Sequence, residues 1–288
     1  MTIRRPEGRG SRAALAGAAR RHMGPLAVIT FASVVVGVPI LMAVAWSLVD
    51  PDHPWSYPDM FPPSLSLYQW DYVFRVTDIV PAILTSYVLA TAATILAFVI
   101  ALPMAYAMGR WAFRGKELIR ILMLLPLVIP GMVVALFLSR VFAFLGLAQT
   151  FQGLVLAHTL LGLPFMARLL STSFEAIPRE VSDAASNLGA SEYAKVRAIY
   201  LPMARQGIFA GAILTFIASL EEFSLTYVIG TPDFQTIPTI LFGFLGQRLV
   251  RTEASVVSLI LLVPSLILLY GADRLLKGNS VSTGFSKL

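Results

Sequence analysis

The sequence contains no cysteine and only three histidines. The lack of cysteine excludes disulfides, thiolate-bound metals and a cysteine nucleophile, but it is compatible with either side of a membrane. The histidines, His22, His53 and His158, are too scattered to have the spacing of a metal site. The chain therefore lacks the side chains on which many metal-dependent and nucleophilic enzymes rely.

Charged residues are also scarce, at 13% of the chain, whereas 57% of the residues are hydrophobic. Soluble domains carry about 25% charged and roughly 45–50% apolar residues. The net charge is +6, but the Lys and Arg residues lie in short gaps between apolar runs. Because they do not form one basic domain, nucleic-acid binding is not expected. The composition indicates a membrane protein whose solvent is lipid.

The long apolar runs predict an all-α integral membrane protein with six transmembrane helices. A helix needs about 20 mostly apolar residues to cross the hydrocarbon core. The expected spans are residues 25–48, 82–108, 121–139, about 151–170, 207–229 and 254–272. The first run is also compatible with a cleaved signal peptide ending at Ala43-Val44-Ala45, but it is longer than the ~7–15 apolar residues typical of one. We therefore expect it to be retained.

The positive charges orient the predicted bundle. Of the 22 Lys and Arg residues, four lie in segments expected outside the cell, namely Arg75, Arg140, Arg248 and Arg251. Cytoplasmic loops carry an excess of Lys and Arg, so both termini are predicted to be cytoplasmic. The resulting segments are a disordered tail (1–24), an outside loop (49–81), a membrane domain (82–276) with an inside loop (171–206), and a second tail (277–288).

No nucleotide-binding loop is visible in the sequence. Five residues separate Gly109 from Gly115-Lys116, where the phosphate-binding motif needs four. Glu117 then stands where that motif has the Ser or Thr that binds the metal. We expect no cofactor in this chain.

The inside loop is predicted to form two short helices with a sharp turn between them. Pro178 suits a first helical position, and Glu180 and Asp183 complement the positive end of the helix. Gly189 is placed where a left-handed residue ends a helix, and Ser191 is placed to cap a second helix that stops before a proline. The composition alone leaves two interpretations open, a docking segment for another protein and an amphipathic loop on the membrane surface.

The spacing of this loop resembles the signature of binding-protein-dependent ABC importer permeases. The matching positions are Asp183-Ala184-Ala185, Gly189, Ile199 and Leu201-Pro202. Glu is the usual first residue of the signature, so Asp183 is a departure, and Glu180 is an alternative for its role. The resemblance implies a type I ABC importer permease fold whose loop docks on a cytoplasmic ATPase through Glu180, Asp183, Ala184, Ala185, Gly189, Ala190, Ile199, Leu201 and Pro202.

The resemblance also implies the partners. They are a second, non-identical permease, two ATPase subunits that hold ATP and Mg, and a periplasmic or lipoprotein solute-binding protein. The chain itself is then a multi-pass transport subunit of a bacterial inner membrane and not an enzyme.

A second stretch is similar to the permeases for spermidine and putrescine. It comprises Ser219-Leu220-Glu221-Glu222-Phe223, Gly230-Thr231-Pro232 and Ile237-Pro238-Thr239. Relatives of those permeases import opines, aminobutyrate, aminoalkylphosphonates, ferric iron and sulfate. Polyamine permeases often have an acidic residue after the second proline of the third span, but here Gly131 follows Pro130. This departure argues against a dicationic substrate.

Two adjacent carboxylates within a predicted span are costly unless they face a cavity or a positive partner. We therefore predict that Glu221 or Glu222 lines the substrate pathway, with the choice between them open. The alternative is that both lie near the outer interface and pair with Arg248 or Arg251. The predicted pathway residues are Ser219, Glu221, Glu222, Phe223 and Tyr227.

The predicted function is import of a small polar solute, with an amine-containing solute favoured. An inorganic ion such as ferric iron or sulfate is the alternative substrate. A membrane-embedded enzyme or receptor is the alternative from another class, but the spans contain almost no ionisable groups beyond the glutamate pair. A secondary transporter would usually show internal symmetry, which is not evident here.

Overall fold

The computed structural model describes residues 9–277, with side chains described from residue 28 to residue 274. The predicted tail at 277–288 lies almost entirely outside the described residues. The segment predicted as a disordered amino-terminal tail is helical from Arg9 onward. It is rich in Ala and Arg, which are strong helix formers, so the expectation of disorder for this part was wrong.

The described chain is helical throughout. Its α-helices are α1 (Arg9–Ser47), α2 (Tyr68–Val76), α3 (Ile79–Arg110), α4 (Lys116–Val128), α5 (Gly131–Leu145), α6 (Phe151–Glu175), α7 (Arg179–Asn187), α8 (Glu192–Lys195), α9 (Leu201–Met203), α10 (Arg205–Leu220), α11 (Ile237–Phe242) and α12 (Arg251–Lys277). Three π-helical segments, Val196–Tyr200, Thr226–Gly230 and Gly243–Arg248, lie between them. Within residues 9–277 the β structure is one isolated bridge between Val49 and Leu65.

Four helical stretches are each long and apolar enough to cross a membrane, and they are Val28–Ser47, Ile79–Arg110, Phe151–Glu175 and Arg251–Arg274. Two pairs of consecutive helices, each bent at a short break, are further candidates for a membrane crossing. The α4–α5 pair is bent by 100°, and the segment Glu192–Met203 is bent by 73° from α10. The structure therefore has four candidate crossings, or six if each bent pair crosses once, and the predicted six spans match the upper number.

The α4–α5 pair does run from one end of the bundle to the other. At its start, Lys116 Nζ lies 3.5 Å from Glu175 Oε1, at the end of α6. Beyond its far end, just before α6 begins, the backbone amide of Gln149 donates to the Ile229 carbonyl at 2.9 Å. Below, the end that carries α7 is called the coupling end, and the end that carries α2 and α11 is called the opposite end.

Two of the predicted spans are interrupted in the structure. Within 121–139, α4 stops at Val128 and α5 starts at Gly131, because Pro130 cannot donate the hydrogen bond that would continue the helix. Within 207–229, α10 stops at Leu220. The two glutamates that follow are therefore in a break and do not project from neighbouring positions of one helix.

The core is built around the packing of α3 against α6. Alanines at four-residue spacing form one fully buried face of α3, at Ala97, Ala101 and Ala105. Small residues let two membrane helices approach closely and gain dispersion contacts along their length. This face meets Leu170 and Phe174 of α6 in one buried cluster.

Helix α10 approaches α6 closely at Gly207. A β-carbon added there would lie 1.8 Å from Ser173 Oγ and 3.0 Å from the Leu169 carbonyl oxygen. Small residues at Gly207 and Gly211 permit this close approach. In contrast, α1 exposes large apolar side chains such as Phe31, at 70% exposure, as expected for a helix that faces lipid.

Candidate functional site

Helix α7 is a short helix at the coupling end of the bundle, and residues suited to a helix terminus flank it on both sides. Pro178 precedes the helix as its N-cap, one position earlier than predicted, and Glu180 lies in the first turn. At the other end Gly189 has φ +82°, in the left-handed region. The Gly189 and Ala190 amides donate to the carbonyls of Ser186 (2.9 Å) and Ala185 (3.0 Å). These bonds satisfy carbonyls that the helix end would leave open, as predicted for Gly189.

The second short helix starts as predicted but does not end as predicted. Ser191 Oγ accepts a hydrogen bond from the Ala194 amide at 3.2 Å. Helix α8 is then only four residues long, and the chain continues as a π-helical turn into α9, which contains Pro202. A proline is tolerated there because the first turn of a helix needs no intrahelical N–H donor.

The signature residues divide into two groups in space. On α7, Glu180, Asp183 and Ala184 are exposed, Ala185 is half-buried, and Leu188 is 90% exposed. The later signature residues, Ile199, Leu201 and Pro202, lie in the connection between α8 and α10. Only the first group is presented on α7, and both acidic alternatives face outward.

A buried lysine holds α7 against the rest of the loop. Lys195 is 6% exposed, and its Nζ donates to Ser186 Oγ at 3.0 Å. The same ammonium pairs with Glu192, whose carboxylate also accepts a hydrogen bond from the Tyr106 hydroxyl. This chain of contacts connects α7, through α8, to the end of α3.

An arginine provides a second connection at the coupling end. Arg110 Nη1 donates to the Ile177 carbonyl at 2.8 Å and to the Phe174 carbonyl at 3.3 Å. Its guanidinium also lies 5.0 Å from the ring centre of Tyr200. The positive charge therefore satisfies carbonyls at the end of α6, where the helix dipole is negative. Sequence reasoning missed Tyr106 and Arg110, because their partners lie 64 or more positions away. It also missed Lys195, although its partners Glu192 and Ser186 are near in the sequence.

The two glutamates at the break after α10 differ in exposure and in hydrogen bonding. Glu221 ends α10 and is exposed. The Glu222 side chain is 9% exposed, and its Oε2 accepts hydrogen bonds from the amides of Leu225 (2.8 Å) and Thr226 (3.3 Å). Glu222 therefore caps the helical segment that follows the break, as short polar side chains do at helix starts.

A buried histidine packs beneath this break. His158 Nδ1 lies 2.8 Å from Ser219 Oγ, and its Nε2 lies 3.0 Å from Thr226 Oγ1 and 3.8 Å from Glu222 Oε2. Ser219 was predicted to line the pathway, but it is 6% exposed and bonded to this histidine. The sequence offered no signal for the role of His158.

The alternative pairing of the glutamates with arginines is not seen among the described side chains. The Arg248 guanidinium lies 5.8 Å from the ring centre of Phe244, and that of Arg251 lies 5.8 Å from the ring centre of Trp46. No ion pair joins either arginine to Glu221 or Glu222 within residues 28–274.

Aromatic side chains form a cluster directly after the break. Phe223 and Tyr227 stack with ring centres 5.1 Å apart. Phe242 of α11 completes the cluster, 4.7 Å from Phe223 and 5.2 Å from Tyr227. The other helix break also reaches this region, since a β-carbon added at Gly131 would lie 3.4 Å from Ser224 Oγ. The two breaks therefore meet inside the bundle.

Comparison with known families gives one match. The model of the family described as "Binding-protein-dependent transport system inner membrane component" matches residues 100–277.

The relatives of the chain are permease proteins of several transport systems. A "probable molybdenum ABC transporter permease protein" of Haloferax volcanii is 36% identical over 52% of this chain, and the match spans 59% of that relative. The spermidine/putrescine transport system permease protein PotC of Escherichia coli K12 is 27% identical over 61% of this chain and 68% of its own length. The sulfate transport system permease protein CysT of Salmonella typhimurium is 30% identical over 72% of this chain and 79% of its own.

Solved structures show the same fold. A bacterial ABC transporter involved in import of the polysaccharide alginate has a TM-score of 0.69 at 16% identity, covering 94% of this chain and 99% of its own. The MetNI methionine ABC transporter, in an inward-facing conformation, has a TM-score of 0.57 at 19% identity, covering 69% and 95%. The fold is that of type I ABC importer permeases, as predicted.

Proposed function

This chain belongs to the family of binding-protein-dependent transport system inner membrane components, and we propose that it forms half of the translocation pathway of an ATP-driven importer for a small amine-containing solute. Its fold and relatives are those of transport subunits rather than enzymes. The observation that carries the proposal is α7, a rigidly held helix with an outward face at one end of a membrane bundle.

A cytoplasmic ATPase is the partner that α7 fits. Gly189 and the contact of Lys195 with Ser186 fix the carboxyl end of α7, while Leu188, directly after the helix, is 90% exposed. An exposed leucine beside a smooth alanine surface is costly in water and favourable in a protein cleft. ATP and Mg then belong to that ATPase, and its movement is transmitted to the bundle through α7.

Two further partners complete the proposed importer. A second permease, non-identical to this one, encloses the other half of the pathway. A solute-binding protein delivers the substrate at the opposite end, and the structure of the alginate transporter in complex with its periplasmic protein supports this arrangement.

The proposed location is a bacterial inner membrane with both termini cytoplasmic. The described ends of α1 and α12 support this orientation. Arg251, at the start of α12, lies against Trp46, near the end of α1, so the two helices run in opposite directions. Their other ends therefore lie on the side that carries α7.

An amine-containing substrate is supported by the carboxylates at the break. Glu221 is exposed close to the aromatic cluster, and together they suit an ammonium group through charge and cation–π attraction. Gly131 borders the same region without adding a further negative charge, which favours a single amino group over a polyamine. The molybdenum and sulfate relatives make an inorganic oxyanion the second candidate.

Uptake by cells that lack the gene for this chain tests the function. Labelled 4-aminobutyrate, 2-aminoethylphosphonate, putrescine, sulfate and molybdate are offered with and without the restored gene. We expect restoration of an amine-containing solute, dependent on ATP and insensitive to collapse of the proton gradient. Restoration of the oxyanions alone refutes the substrate class, and uptake driven by an ion gradient refutes the ABC importer assignment.

A further inference from the structure

A cavity of about 570 Å³ opens at the opposite end of the bundle. It lies between the end of α2, the start of α3, α11 and the π-helical segment Gly243–Arg248. Small-molecule sites typically have volumes of about 300–1,000 Å³. The polar lining includes Asp78, Tyr227, Thr231, Gln235, Gln247 and Arg248.

Two opposite charges line this cavity without pairing with each other. Asp78 stands immediately before α3, and its carboxylate makes no capping hydrogen bond to that helix. The Arg248 guanidinium lies over Phe244, 5.8 Å from the ring centre. Within the described residues no ion pair joins Asp78 to Arg248 or to another basic group. Each charge is therefore available to a group that enters the cavity.

The charges select among solutes by sign. A dication would meet Arg248, and a dianion would meet Asp78, so each would gain one attraction and one repulsion. A solute with an ammonium group at one end and an anionic group at the other gains both attractions. Arg248 suits a carboxylate or phosphonate, because a guanidinium donates two parallel hydrogen bonds to either group. The amide side chains of Gln235 and Gln247 add donors and acceptors for the rest of the solute.

The cavity borders the aromatic cluster through one shared side chain. Tyr227 lines the cavity and also packs against Phe223 and Phe242. Phe223 directly follows the two glutamates of the break. Tyr227 therefore separates the cavity from the residues at the break.

We propose that this cavity is a binding site for a zwitterionic solute, whose amino group faces Asp78 and whose carboxylate or phosphonate faces Arg248. The inference rests on the proposed import of an amine-containing solute and narrows it to a zwitterion.

The chain has no cysteine, so one introduced thiol reports on the cavity directly. Gly243 lines the cavity, and a β-carbon added there has no heavy atom within 4 Å. The Gly243→Cys variant, in the intact importer complex in membranes, is reacted with a maleimide. We expect 4-aminobutyrate and 2-aminoethylphosphonate to slow labelling about tenfold, a change equivalent to about 1.4 kcal/mol. Putrescine and sulfate are expected to have little effect.

Charge-neutral variants identify the groups responsible. Asp78→Asn and Arg248→Gln, each combined with Gly243→Cys, are expected to abolish the protection. Asp59→Asn and Arg75→Gln are the matched controls, since both residues are exposed and lie outside the cavity lining. Labelling of Asp59→Cys, outside the cavity, should not respond to any of these solutes.

The possible outcomes separate this inference from the proposed function. Protection by zwitterions without zwitterion uptake supports the site and contradicts the proposed substrate. Zwitterion uptake without protection leaves the function standing and overturns the site. Equal protection by putrescine or sulfate, or protection that survives both charge-neutral variants, also overturns it.

Discussion

Buried polar side chains make different kinds of contact at the coupling end and at the break after α10. At the break, Glu222 is almost fully buried and is satisfied by amides of its own chain. At the coupling end, the buried contacts of Lys195 and Arg110 fix the frame, while α7 leaves its outer face bare. Because Glu222 is satisfied within its own chain, it needs no partner from outside, whereas the bare face of α7 is suited to a second protein. The difference separates a structural device from a docking surface.

The largest loss of transport is expected from a bulky side chain on the outer face of α7. We predict that Ala185→Arg abolishes ATPase association and reduces transport more than about 100-fold. A long charged side chain cannot enter a cleft shaped for a methyl group without losing its hydration. Copurification of the ATPase and uptake at equal expression measure the effect. Ala185→Ser is the control, and normal uptake by Ala185→Arg would refute the coupling assignment.

Gly189→Val is expected to have the next largest effect, since it distorts the turn that ends α7. A left-handed residue with a side chain costs about 1–2 kcal/mol, and a β-branched one is worse. A steric clash with neighbouring atoms is not the cause of the expected loss, because a β-carbon added at Gly189 has no heavy atom within 4 Å. We expect loss of transport with normal membrane insertion, measured by uptake and by membrane content. Gly189→Asn should keep most activity, because Asn tolerates this conformation. Equal behaviour of Val and Asn would contradict the backbone explanation.

The two glutamates of the break should respond differently to removal of charge. Glu222→Ala is predicted to lower stability by about 1–3 kcal/mol, because two amides lose a buried acceptor. Glu221→Gln is predicted to keep stability and reduce uptake of the amine-containing solute about tenfold, the loss of one charge-assisted contact. Thermal unfolding in detergent and uptake at equal expression separate these effects.

Glu222→Gln is the control for the break, since its amide oxygen retains one acceptor. The proposed difference between the two glutamates is refuted if Glu221→Gln destabilises the protein as much as Glu222→Ala does. It also fails if Glu221→Gln transports normally, which would remove Glu221 from the pathway.

The smallest expected effect is at the connection between α3 and α7. Tyr106→Phe removes the hydroxyl that donates to Glu192 and leaves the ring packing intact. We predict a loss of about two- to fivefold in solute transported per ATP hydrolysed, for a hydrogen bond of ~0.5–1 kcal/mol net. Tyr193→Phe, on an exposed ring 74% accessible, is the control. An unchanged ratio in Tyr106→Phe would show that α7 moves independently of α3.

Local signals in the sequence were sufficient for much of the fold. The apolar runs predicted six crossings, the upper number that the structure allows. The turn chemistry predicted the left-handed Gly189 that ends α7 and the Ser191 cap that starts α8. Both depend on residues within a few positions of one another. The same reasoning placed Glu221 and Glu222 on a continuous helix, because hydropathy does not reveal where a span stops.

The contacts that fix the candidate sites could not be read from the sequence. Tyr106 and Glu192 are 86 positions apart, and His158 and Ser219 are 61 apart. No periodic pattern connects such residues, and only the packing of α3, α6 and α10 brings them together. His158 was judged scattered by spacing, although in space it is the centre of a buried network.

Site-directed crosslinking tests whether α7 docks on the ATPase subunit. Leu188→Cys, the single thiol of the chain, is modified with a short photoreactive maleimide in the intact complex in native membranes. We expect a crosslink to the ATPase subunit that weakens when closure of the ATPase subunits by ATP is blocked. Leu145→Cys, 58% exposed at the opposite end, is the matched control and should give no such product. A crosslink of Leu188→Cys to lipid alone, with the complex intact, would contradict the claim.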